Sequence, residues 1–450
     1  MSDLSAVAHR AVEVATAAGA GDAEAYVSRE SGREVRVHGG EVESLTAAVQ
    51  TGVGIRAWSG HRVGYAYGTD LSEAGVAAIA ARAAEAAAVA DEDEFAAPPQ
   101  PAEIEALAGL SDPSVAEWEV SRLAELALTV ERTALASDPR LVGVEQAVYA
   151  DAAELVAIAS STGVAGEYET STCYAYLQAL AEGEGARETG LGFGLARGPR
   201  DLDPEEIGAE GAQRALEMIG AGKPESRSCP VVLDATVAAS FVGLVGGGLS
   251  AKAVQRGRSP LAGRLDEEVA SGAFALHDDG REPSGPASAP FDGEGVPRRR
   301  TALIEDGRLR SYLYDTYSAN REGGASTGSA ARGSYRSLPA VATSNLVVAP
   351  GSHSFEELLG QAGEGIFVND VAGLHSGVNP VTGVFSVGAS GRMIRDGHLA
   401  EPVREFTIAG ELVAMLGAVS AAGADSRWVP FGGSVSTPPL LIAEMAISGS

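Results

Sequence analysis

Cysteine is nearly absent from this sequence. Its 450 residues include only Cys173 and Cys229. Two cysteines cannot build the disulfide framework that stabilises many small secreted domains. We therefore predict two free, buried thiols and a reducing compartment.

Positive charge is also scarce. Lysine and arginine number 33 against 61 aspartates and glutamates, which leaves a net charge of −28 and a pI of about 4.6. A surface this acidic repels phosphate backbones, so the composition argues against direct nucleic-acid binding. The acidic field could attract basic peptides or a basic partner surface, or it could serve solubility alone.

Long apolar runs are missing too. No stretch of 18 or more consecutive apolar residues occurs, which predicts a protein without a membrane span. The first ten residues, MSDLSAVAHR, contain neither the basic region nor the apolar core of a secretory signal. We expect a cytoplasmic protein.

The histidines are too scattered for one helix to present a pair of them to a metal ion. No two are three, four or five positions apart: His9, His38, His61, His277, His353, His375 and His398. One of them has several acidic neighbours, but the surrounding Gly/Pro-rich segment predicts a solvated loop rather than an acid–base or metal group. The residues concerned are His277, Asp278, Asp279 and Glu282.

Other catalytic patterns are weak. The sequence has no G-x-S-x-G nucleophile elbow. Gly246-Gly247-Gly248 is not followed by the Lys-Ser/Thr pair of a phosphate-binding loop. A Ser/His/Asp triad stays open as an alternative, because its members assemble in space rather than in sequence.

The length and the 45% hydrophobic content predict a globular chain of two or three domains. Residues 1–222 combine long Ala-rich helices with strands of alternating polarity, which predicts an α+β domain of α/β type with antiparallel strands. The order helix, strands, helix occurs twice there. Internal duplication is therefore one hypothesis, and two similar adjacent units are the other.

Residues 90–102 are charged and proline-rich and predict a linker. Gly, Pro and charged residues at 220–228 mark the boundary to a mainly β domain at 223–450.

One segment, residues 231–271, provides most of the sequence evidence about the function of the protein. Val231–Leu233 predicts a buried strand, followed by a helix at 235–251 that Asp234 or Thr236 could cap. The glycines at 246–248 interrupt this helix at a cost of about 1 kcal/mol each relative to alanine. A sequence tolerates such glycines where something must approach the backbone closely, or where bulk has been lost.

This segment resembles the central helix of the TldD/PmbA family, whose PmbA members are also called TldE. Catalytic TldD members carry H-E-x-x-x-H on that helix and R-G-x-S shortly afterwards, which Arg256-Gly257-Arg258-Ser259 matches. Counted back from this match, the two histidines fall on Val242 and Gly247, and the glutamate falls on Gly243. The resemblance therefore implies degenerate metal and base positions, because none of these residues can bind zinc or move a proton.

Further segments extend the resemblance to the second half of the chain. They are F-D-G-E-G-V-P at 291–297, a hairpin at 301–319 and G-V-F-S-V-G-A-S-G at 383–391. A cysteine that completes the family's metal site is missing from the corresponding segment, residues 425–433. The resemblance implies the TldD/PmbA fold, in which the second half is a large antiparallel β domain and the helix at 235–251 is a pseudo-active-site helix.

The resemblance also implies where peptides would bind. The polar segment 320–337 predicts a mobile loop, and it matches a family segment that borders the peptide cleft; the alternative is a disordered surface loop. The peptide-cleft candidates are Gly246, Gly248, Arg256, Ser259, Thr327 and Gly328.

By resemblance, we expect a non-catalytic TldE/PmbA-type subunit of a heterodimeric zinc metallopeptidase that degrades or processes unfolded peptides. No cofactor is expected on this chain, and zinc is expected on a TldD-like partner that carries H-E-x-x-x-H. The alternative is a homodimeric peptide-binding protein without hydrolytic activity. Two further hypotheses are a metal-free enzyme that uses another site and modulation of DNA gyrase, for which the net charge disfavours direct contact with DNA.

Overall fold

The computed structural model describes residues 3–430 and 433–450. Its N-terminal half is built on one six-stranded antiparallel sheet with the strand order β3-β2-β1-β4-β5-β6. The strands are β1 (Asp22–His38), β2 (Glu41–Ser59), β3 (Arg62–Gly68), β4 (Leu141–Ser160), β5 (Ala165–Gly183) and β6 (Ala186–Ala196).

The strands of this sheet are longer than the sequence pattern predicts. The apolar alternation at 23–27 and 34–37 indicated two separate strands, but β1 runs through both without interruption. It can do so because β2 pairs with one edge and β4 with the other, so the backbone groups of Arg29–Arg33 stay paired. Ser59-Gly60 between two alternating segments predicts a hairpin turn, which is confirmed because β2 ends at Ser59 and β3 begins at Arg62.

Four long helices cover one face of the sheet. The first pair, α1 (Leu4–Ala17) and α2 (Glu73–Val89), packs on β1 and β2. The second pair, α4 (Val120–Ser137) and α5 (Pro204–Glu217), packs on β4 and β5. The sheet therefore consists of two units that meet between β1 and β4, each with a helix, three strands and a helix, so the element order predicted to occur twice is present in the architecture.

The apolar periodicity at 114–136 predicts one helix, but the structure divides it into α3 (Ser114–Glu117) and α4. Trp118 and Glu119 between them are extended. Arg33 of β1 donates to the carbonyl of Trp118 over 2.7 Å and also to the carbonyl of Val115. These bonds satisfy carbonyl groups at the end of α3, and no local sequence signal predicts them.

Two mixed six-stranded sheets form the C-terminal half. One has the order β16-β15-β14-β7-β20-β17 and the other the order β10-β9-β8-β13-β19-β18, and β11 and β12 pair separately. The strands are β7 (Arg227–Leu233), β8 (Leu276–Asp279), β9 (Arg300–Glu305), β10 (Arg308–Leu309), β11 (Ala330–Ala331), β12 (Ala340–Val341), β13 (Asn345–Val348), β14 (Gly365–Ala372), β15 (Val384–Arg395), β16 (His398–Glu411), β17 (Val419–Ala422), β18 (Arg427–Val429), β19 (Ser434–Thr437) and β20 (Leu440–Ser448).

Most strand pairs in these sheets are antiparallel, in agreement with the predicted α+β fold. The pairs β7–β14 and β13–β19 are parallel. Alternating polarity does not reveal this difference, because it reports the direction of side chains and not the direction of the neighbouring strand.

One helix of the C-terminal half, α6 (Ala235–Gly248), separates these two sheets. α6 packs between the two, and its residues Phe241, Val242 and Val245 belong to an apolar core that includes residues of both sheets. The helices are α6 (Ala235–Gly248), α7 (Ala251–Gln255), α8 (Thr316–Glu322), α9 (Phe355–Ala362), α10 (Leu374–Gly377) and α11 (Leu412–Gly417).

The segment at 320–337, predicted as a mobile loop, is packed in part: its start belongs to a helix, residues 323–325 are exposed, and several residues from Thr327 onward are buried. Ser329, Arg332 and Tyr335 have buried side chains. The ring of Tyr335 packs against Gly52 of β2, where a Cβ atom would lie 2.4 Å from the ring. Close packing between the two halves of the chain therefore accounts for Ser329 and Tyr335, whereas Gly323 faces open space.

The acidic group beside His277 is not a solvated loop either. Leu276–Asp279 forms β8, and Asp278 is buried. The Asp278 carboxylate accepts the backbone N–H and the hydroxyl of Ser344 at 2.7 and 2.8 Å. Burial raises the pKa of Asp278 to about 6. The residue therefore fastens β8 to the segment before β13.

The return strand predicted at 309–314 is shortened to β10. Beyond it, Leu313 leaves the hairpin and bonds to the end of α6: its N–H donates to Leu249 over 2.9 Å, and its carbonyl accepts from Ala251 over 2.9 Å. This tertiary contact competes with the hairpin and places Leu313 beside the end of α6.

Both cysteines are free and buried, as predicted. Burial raises the pKa of both thiols, which makes them poor nucleophiles. Within the described ranges, no helix is both long enough and apolar enough to cross a membrane.

The connector at 90–102 contains neither helix nor strand, and it is fastened to the C-terminal half. The Tyr317 hydroxyl donates to the Asp93 carboxylate over 2.8 Å, and the Asn320 amide donates to the Phe95 carbonyl over 3.0 Å. Both donors lie on α8, so this segment is held in place at its first half.

Candidate functional site

The α6 helix begins at a side-chain cap. The Asp234 carboxylate accepts the Thr236 N–H over 2.9 Å, which identifies Asp234 as the cap among the two predicted candidates. The helix ends at Gly248, three residues before the predicted end, and the chain resumes as α7 after Ser250. The three glycines thus form the last turn of α6 rather than an interruption within it.

A cavity of about 500 Å³ opens beside this last turn. Its floor is the backbone of α6, and α7 with the segment after it supplies its charged rim. The residues that matter here are Gly243, Gly246, Gly247, Lys252, Arg256 and Arg258. We call this space the α6 cavity.

The residues at the predicted metal positions do not fit a zinc ion. Gly247 faces open space, with no atom within 4 Å of an added Cβ. Gly243 also lines the cavity, whereas Val242 is 1% exposed and belongs to the apolar core. These residues have no side-chain atom that could ligate zinc. Across residues 3–430 and 433–450, no three His, Cys, Asp or Glu side chains come together as a possible metal site.

The segment that lacks the family's cysteine lies beside the same helix. Its strand β18 approaches α6. Phe431 and Gly432, which belong to this segment, lie outside the described residues.

The rim of the α6 cavity is positively charged in an otherwise acidic protein. Lys252 is half-buried, Arg256 and Arg258 are exposed, and none of the three forms an ion pair within the described part of the chain. Lys223 is the only other lysine in the sequence. Three unpaired cations at one cavity favour the binding of carboxylate groups.

Two of the predicted cleft residues instead stabilise the end of α6. The Ser259 hydroxyl donates to the Gly248 carbonyl over 2.6 Å and accepts the Leu261 N–H over 3.0 Å. An added Cβ at Gly248 would lie 3.4 Å from this hydroxyl. Ser259 is buried, and neither residue lines the α6 cavity.

Thr327 and Gly328 lie in the segment 320–337, and they do not line the α6 cavity either. The Thr327 hydroxyl accepts the Tyr314 N–H over 2.8 Å. Gly328 has a φ of +73°, and an added Cβ would lie 2.5 Å from the Pro297 carbonyl oxygen. Of the six cleft candidates, Gly246 and Arg256 are the two that the structure brings together in this cavity.

Sequence reasoning missed the role of the F-D-G-E-G-V-P segment. Asp292 accepts the N–H groups of Glu294, Val296 and Ala330 at 2.8 to 3.0 Å and so shapes the turn. Glu294 accepts the Thr316 N–H over 2.8 Å and pairs with Arg56 of the N-terminal sheet. The two acidic residues in a glycine-rich turn were the available signal, but their partners are far away in the sequence.

Comparison with known proteins agrees with this architecture. Three family models match the chain, described as PmbA/TldA metallopeptidase domain 1 (residues 23–87), central domain (113–219) and C-terminal domain (226–449). The metalloprotease PmbA of Escherichia coli O157:H7 is 29% identical over 433 residues, which cover 95% of this chain and 92% of that protein.

Solved structures show the same fold. A Thermotoga maritima protein, described as a candidate modulator of a DNA gyrase, superposes with a TM-score of 0.91 and 25% identity over 99% of this chain and 100% of that one. TldE from Thermococcus kodakarensis superposes with a TM-score of 0.92 and 23% identity over 98% of this chain and 100% of that one. The chain therefore belongs to the PmbA/TldA metallopeptidase family.

Proposed function

We propose that this chain is the non-catalytic, TldE/PmbA-type subunit of a heterodimeric zinc metallopeptidase that degrades or processes unfolded peptides. The observation that carries the proposal is the composition of the α6 cavity. Gly243 and Gly247 line it and Val242 lies in the core, at the positions where catalytic members would have glutamate and histidine. Zinc and hydrolysis would then belong to a TldD-like partner. A cytoplasmic location is part of the proposal, since both thiols are unpaired.

The α6 cavity supports a peptide-binding role for this subunit. Its floor is glycine backbone, which an extended peptide can approach closely and with little sequence preference. Arg256 and Arg258 on the rim can bind carboxylates through two parallel hydrogen bonds. We infer that acidic side chains or the C-terminal carboxylate of the substrate lie at this rim.

An exposed strand edge supports assembly with a second subunit. β3 pairs with β2 only from Val53 onward, and no described strand pairs with the outer edge of Glu41–Gln50. Val42, Leu45 and Val49 in this stretch are 45%, 46% and 62% exposed. An unpaired edge with apolar side chains is a template for pairing with another chain. We propose that the catalytic subunit covers this edge.

The test is native mass spectrometry of the complex purified from its own cells through a tag on this chain. We expect one additional subunit of similar mass that carries H-E-x-x-x-H, together with zinc. Zinc bound to the isolated chain would contradict the proposal. A metal-free homodimer would also contradict it and would favour the peptide-binding alternative.

A second measurement compares the isolated chain with the complex. The complex should cleave an unfolded peptide and lose this activity when a chelator is added, whereas the isolated chain should be inactive. The control is a complex in which the glutamate of the partner's H-E-x-x-x-H is replaced by glutamine. Chelator-resistant cleavage by the isolated chain would overturn the proposal in favour of a metal-free site.

A further inference from the structure

A second cavity, of about 330 Å³, lies between the N-terminal sheet and the C-terminal half. The residues used in the argument are Tyr26, Glu30, Glu154, Tyr168, Thr170 and Arg298. It shares no lining residue with the α6 cavity. We call it the interdomain cavity.

The floor of the interdomain cavity is a row of side chains across three strands. Glu30 of β1 is directly opposite Glu154 of β4, and Glu154 is directly opposite Thr170 of β5. Residues at matching positions of neighbouring strands project to the same face of a sheet. The two carboxylates therefore stand side by side at the cavity.

This carboxylate pair has no compensating partner within the protein. Neither Glu30 nor Glu154 takes part in an ion pair or a side-chain hydrogen bond in the described part of the chain. Like charges placed directly opposite each other destabilise a sheet. Burial and the charge of Glu30 raise the pKa of Glu154 to about 7. A cation between the two carboxylates would remove this repulsion.

The opposite wall offers a positive charge. Arg298 donates through Nε to the Phe291 carbonyl over 3.3 Å, and its two terminal nitrogens have no hydrogen-bond partner among the described residues. The neighbouring Arg332 is fully used, because it bonds to Gly293, Ser337 and Glu24. Arg298 is therefore the arginine of this wall whose guanidinium is available to an anion.

Two tyrosine hydroxyls complete the lining. Tyr26 is only 5% exposed, and neither its hydroxyl nor that of Tyr168 has a hydrogen bond within residues 3–430 and 433–450. The Tyr26 hydroxyl is not fully enclosed by protein, because the side chain lines the cavity, and a ligand there can supply the hydrogen bond that the protein does not. The unpartnered Tyr26 hydroxyl is an observation independent of the charges, and it indicates a ligand in this cavity.

We propose that the interdomain cavity binds a small zwitterion, a free α-amino acid or a dipeptide. The ligand ammonium lies at Glu30 and Glu154, and the ligand carboxylate lies at Arg298. The volume is near the lower end of the range of ligand pockets, roughly 300–1,000 Å³, which excludes a long peptide. The site goes beyond the proposed function and does not depend on it, because its residues belong to this chain alone.

The test is isothermal titration calorimetry of the purified full-length chain with four probes: alanine, Ala-Ala, N-acetyl-Ala-Ala and Ala-Ala amide. We expect binding of alanine or Ala-Ala, and an affinity at least about tenfold lower when either terminus of Ala-Ala is blocked. No binding of alanine or Ala-Ala, or equal affinity for the blocked dipeptides, would overturn the proposal. Because no partner subunit is present, the result is separate from the test of the proposed function.

Variants of the cavity residues test which side chains bind the ammonium end of the ligand and which bind its carboxylate end. Glu154→Gln and Glu30→Gln should each weaken binding of the free dipeptide about tenfold and reduce the preference over the N-acetylated form. Arg298→Gln should reduce the preference over the amide instead. The matched control is Glu145→Gln, an exposed glutamate on β4 outside the cavity, which should bind like the unaltered chain. Glu30 is exposed, so its variant stays informative if another one fails to fold.

The pH dependence provides an independent readout. Affinity should rise as pH increases through about 7, because Glu154 must be ionised to bind an ammonium group. The charged and titratable groups that face Glu154 are Glu30 and Tyr26 from β1, Tyr168 from β5, and Arg298 and Arg332 from the C-terminal half. An affinity that stays constant between pH 6 and 8 in both the unaltered chain and Glu154→Gln would contradict the assigned role of Glu154.

Discussion

Arg56 of β2 donates to the Glu294 carboxylate over 2.9 Å and so joins the N-terminal sheet to the C-terminal half. The same guanidinium pairs with Glu24 of β1 over 2.5 Å. Glu24 in turn pairs with Arg332, and all four side chains are buried. Alternating charges in this network compensate one another, which is the condition under which buried ions are tolerated.

Breaking this network should destabilise the whole fold. Glu294→Gln removes one charge and leaves Arg56 partly unpaired, so we expect the free energy of unfolding to fall by about 3–5 kcal/mol. Guanidinium chloride denaturation measures it. The control Glu305→Gln makes the same change at an exposed position on β9 and should alter stability by less than about 0.5 kcal/mol. Equal effects of the two variants would refute the interdomain role of Glu294.

Glu154 should make stability fall as pH rises. Its folded pKa, about 7, exceeds the unfolded value of 4.5, so the folded state binds the proton more tightly. The stabilisation from this tighter proton binding is fully present below pH 4.5 and is lost as pH rises through 7. Its size is about 1.4 kcal/mol for each unit by which the pKa is raised. Urea denaturation at pH 5 and 7.5 should show a smaller decrease for Glu154→Gln than for the unaltered chain. Glu145→Gln serves as the control, and a parallel decrease in all three proteins would contradict the prediction.

Replacing two glycines of α6 by alanine should change the stability of the protein in opposite directions. Gly247→Ala points into open space and should raise stability by about 0.5 kcal/mol through helix propensity. Gly246→Ala would place Cβ 2.5 Å from Leu346 Cδ1, so we expect a loss of about 1 kcal/mol. Thermal and chemical denaturation of the two variants test this. Higher stability of both variants would mean that the packing around Gly246 is looser than described.

The exposed edge of β2 should be needed for assembly. Val49→Lys adds a charge near the end of the stretch whose outer edge is unpaired, and it should weaken binding of the proposed catalytic subunit at least about tenfold without changing stability. Native mass spectrometry of the mixed subunits gives the bound fraction. Val89→Lys is the control, because Val89 is 85% exposed at the end of α2, away from this edge. Unchanged assembly of Val49→Lys would place the partner elsewhere.

The charged rim of the α6 cavity should determine how tightly the complex binds peptides with carboxylates. Replacing Arg256 and Arg258 together by glutamine should raise KM for such peptides about tenfold or more, because charge-assisted hydrogen bonds contribute about 1.5–3 kcal/mol. The double variant Arg132→Gln with Arg187→Gln makes the same change of charge at exposed positions outside the cavity. A similar KM for both double variants would exclude the rim from peptide binding.

Local patterns were sufficient for several conclusions about this protein. Helix periodicity located α6, and the count back from Arg256 to Gly247 predicted a helix without zinc ligands. Short polar side chains limited the helix cap to Asp234 or Thr236, and the structure identified Asp234. The family and the α+β fold followed from the order of these motifs and are confirmed by the comparisons. Such features depend on residues close together in the chain, so a reader of the sequence can recognise them.

Predictions from the sequence failed where the environment of a residue depends on contacts with residues far away in the chain. The composition of 320–337 predicted mobility, but Tyr335 fits the space left by Gly52, and Asp278 is buried by its bonds to Ser344. Ser259, a cleft candidate, lies after α7, and its hydroxyl donates to the Gly248 carbonyl at the end of α6. Polar and glycine-rich residues serve both loops and close packing, so composition alone does not separate the two.

Sequence alone therefore predicted the family and the fold class, which the comparisons confirm, and it predicted residues that cannot bind zinc at Val242, Gly243 and Gly247. Tertiary structure alone determined which polar residues meet. Glu24 and Arg332 are 308 positions apart and share an ion pair, and Glu30 meets Glu154 through strand register. The physical reason is that burial and charge pairing depend on distance in space, and β-strand pairing can bring together any two parts of a chain.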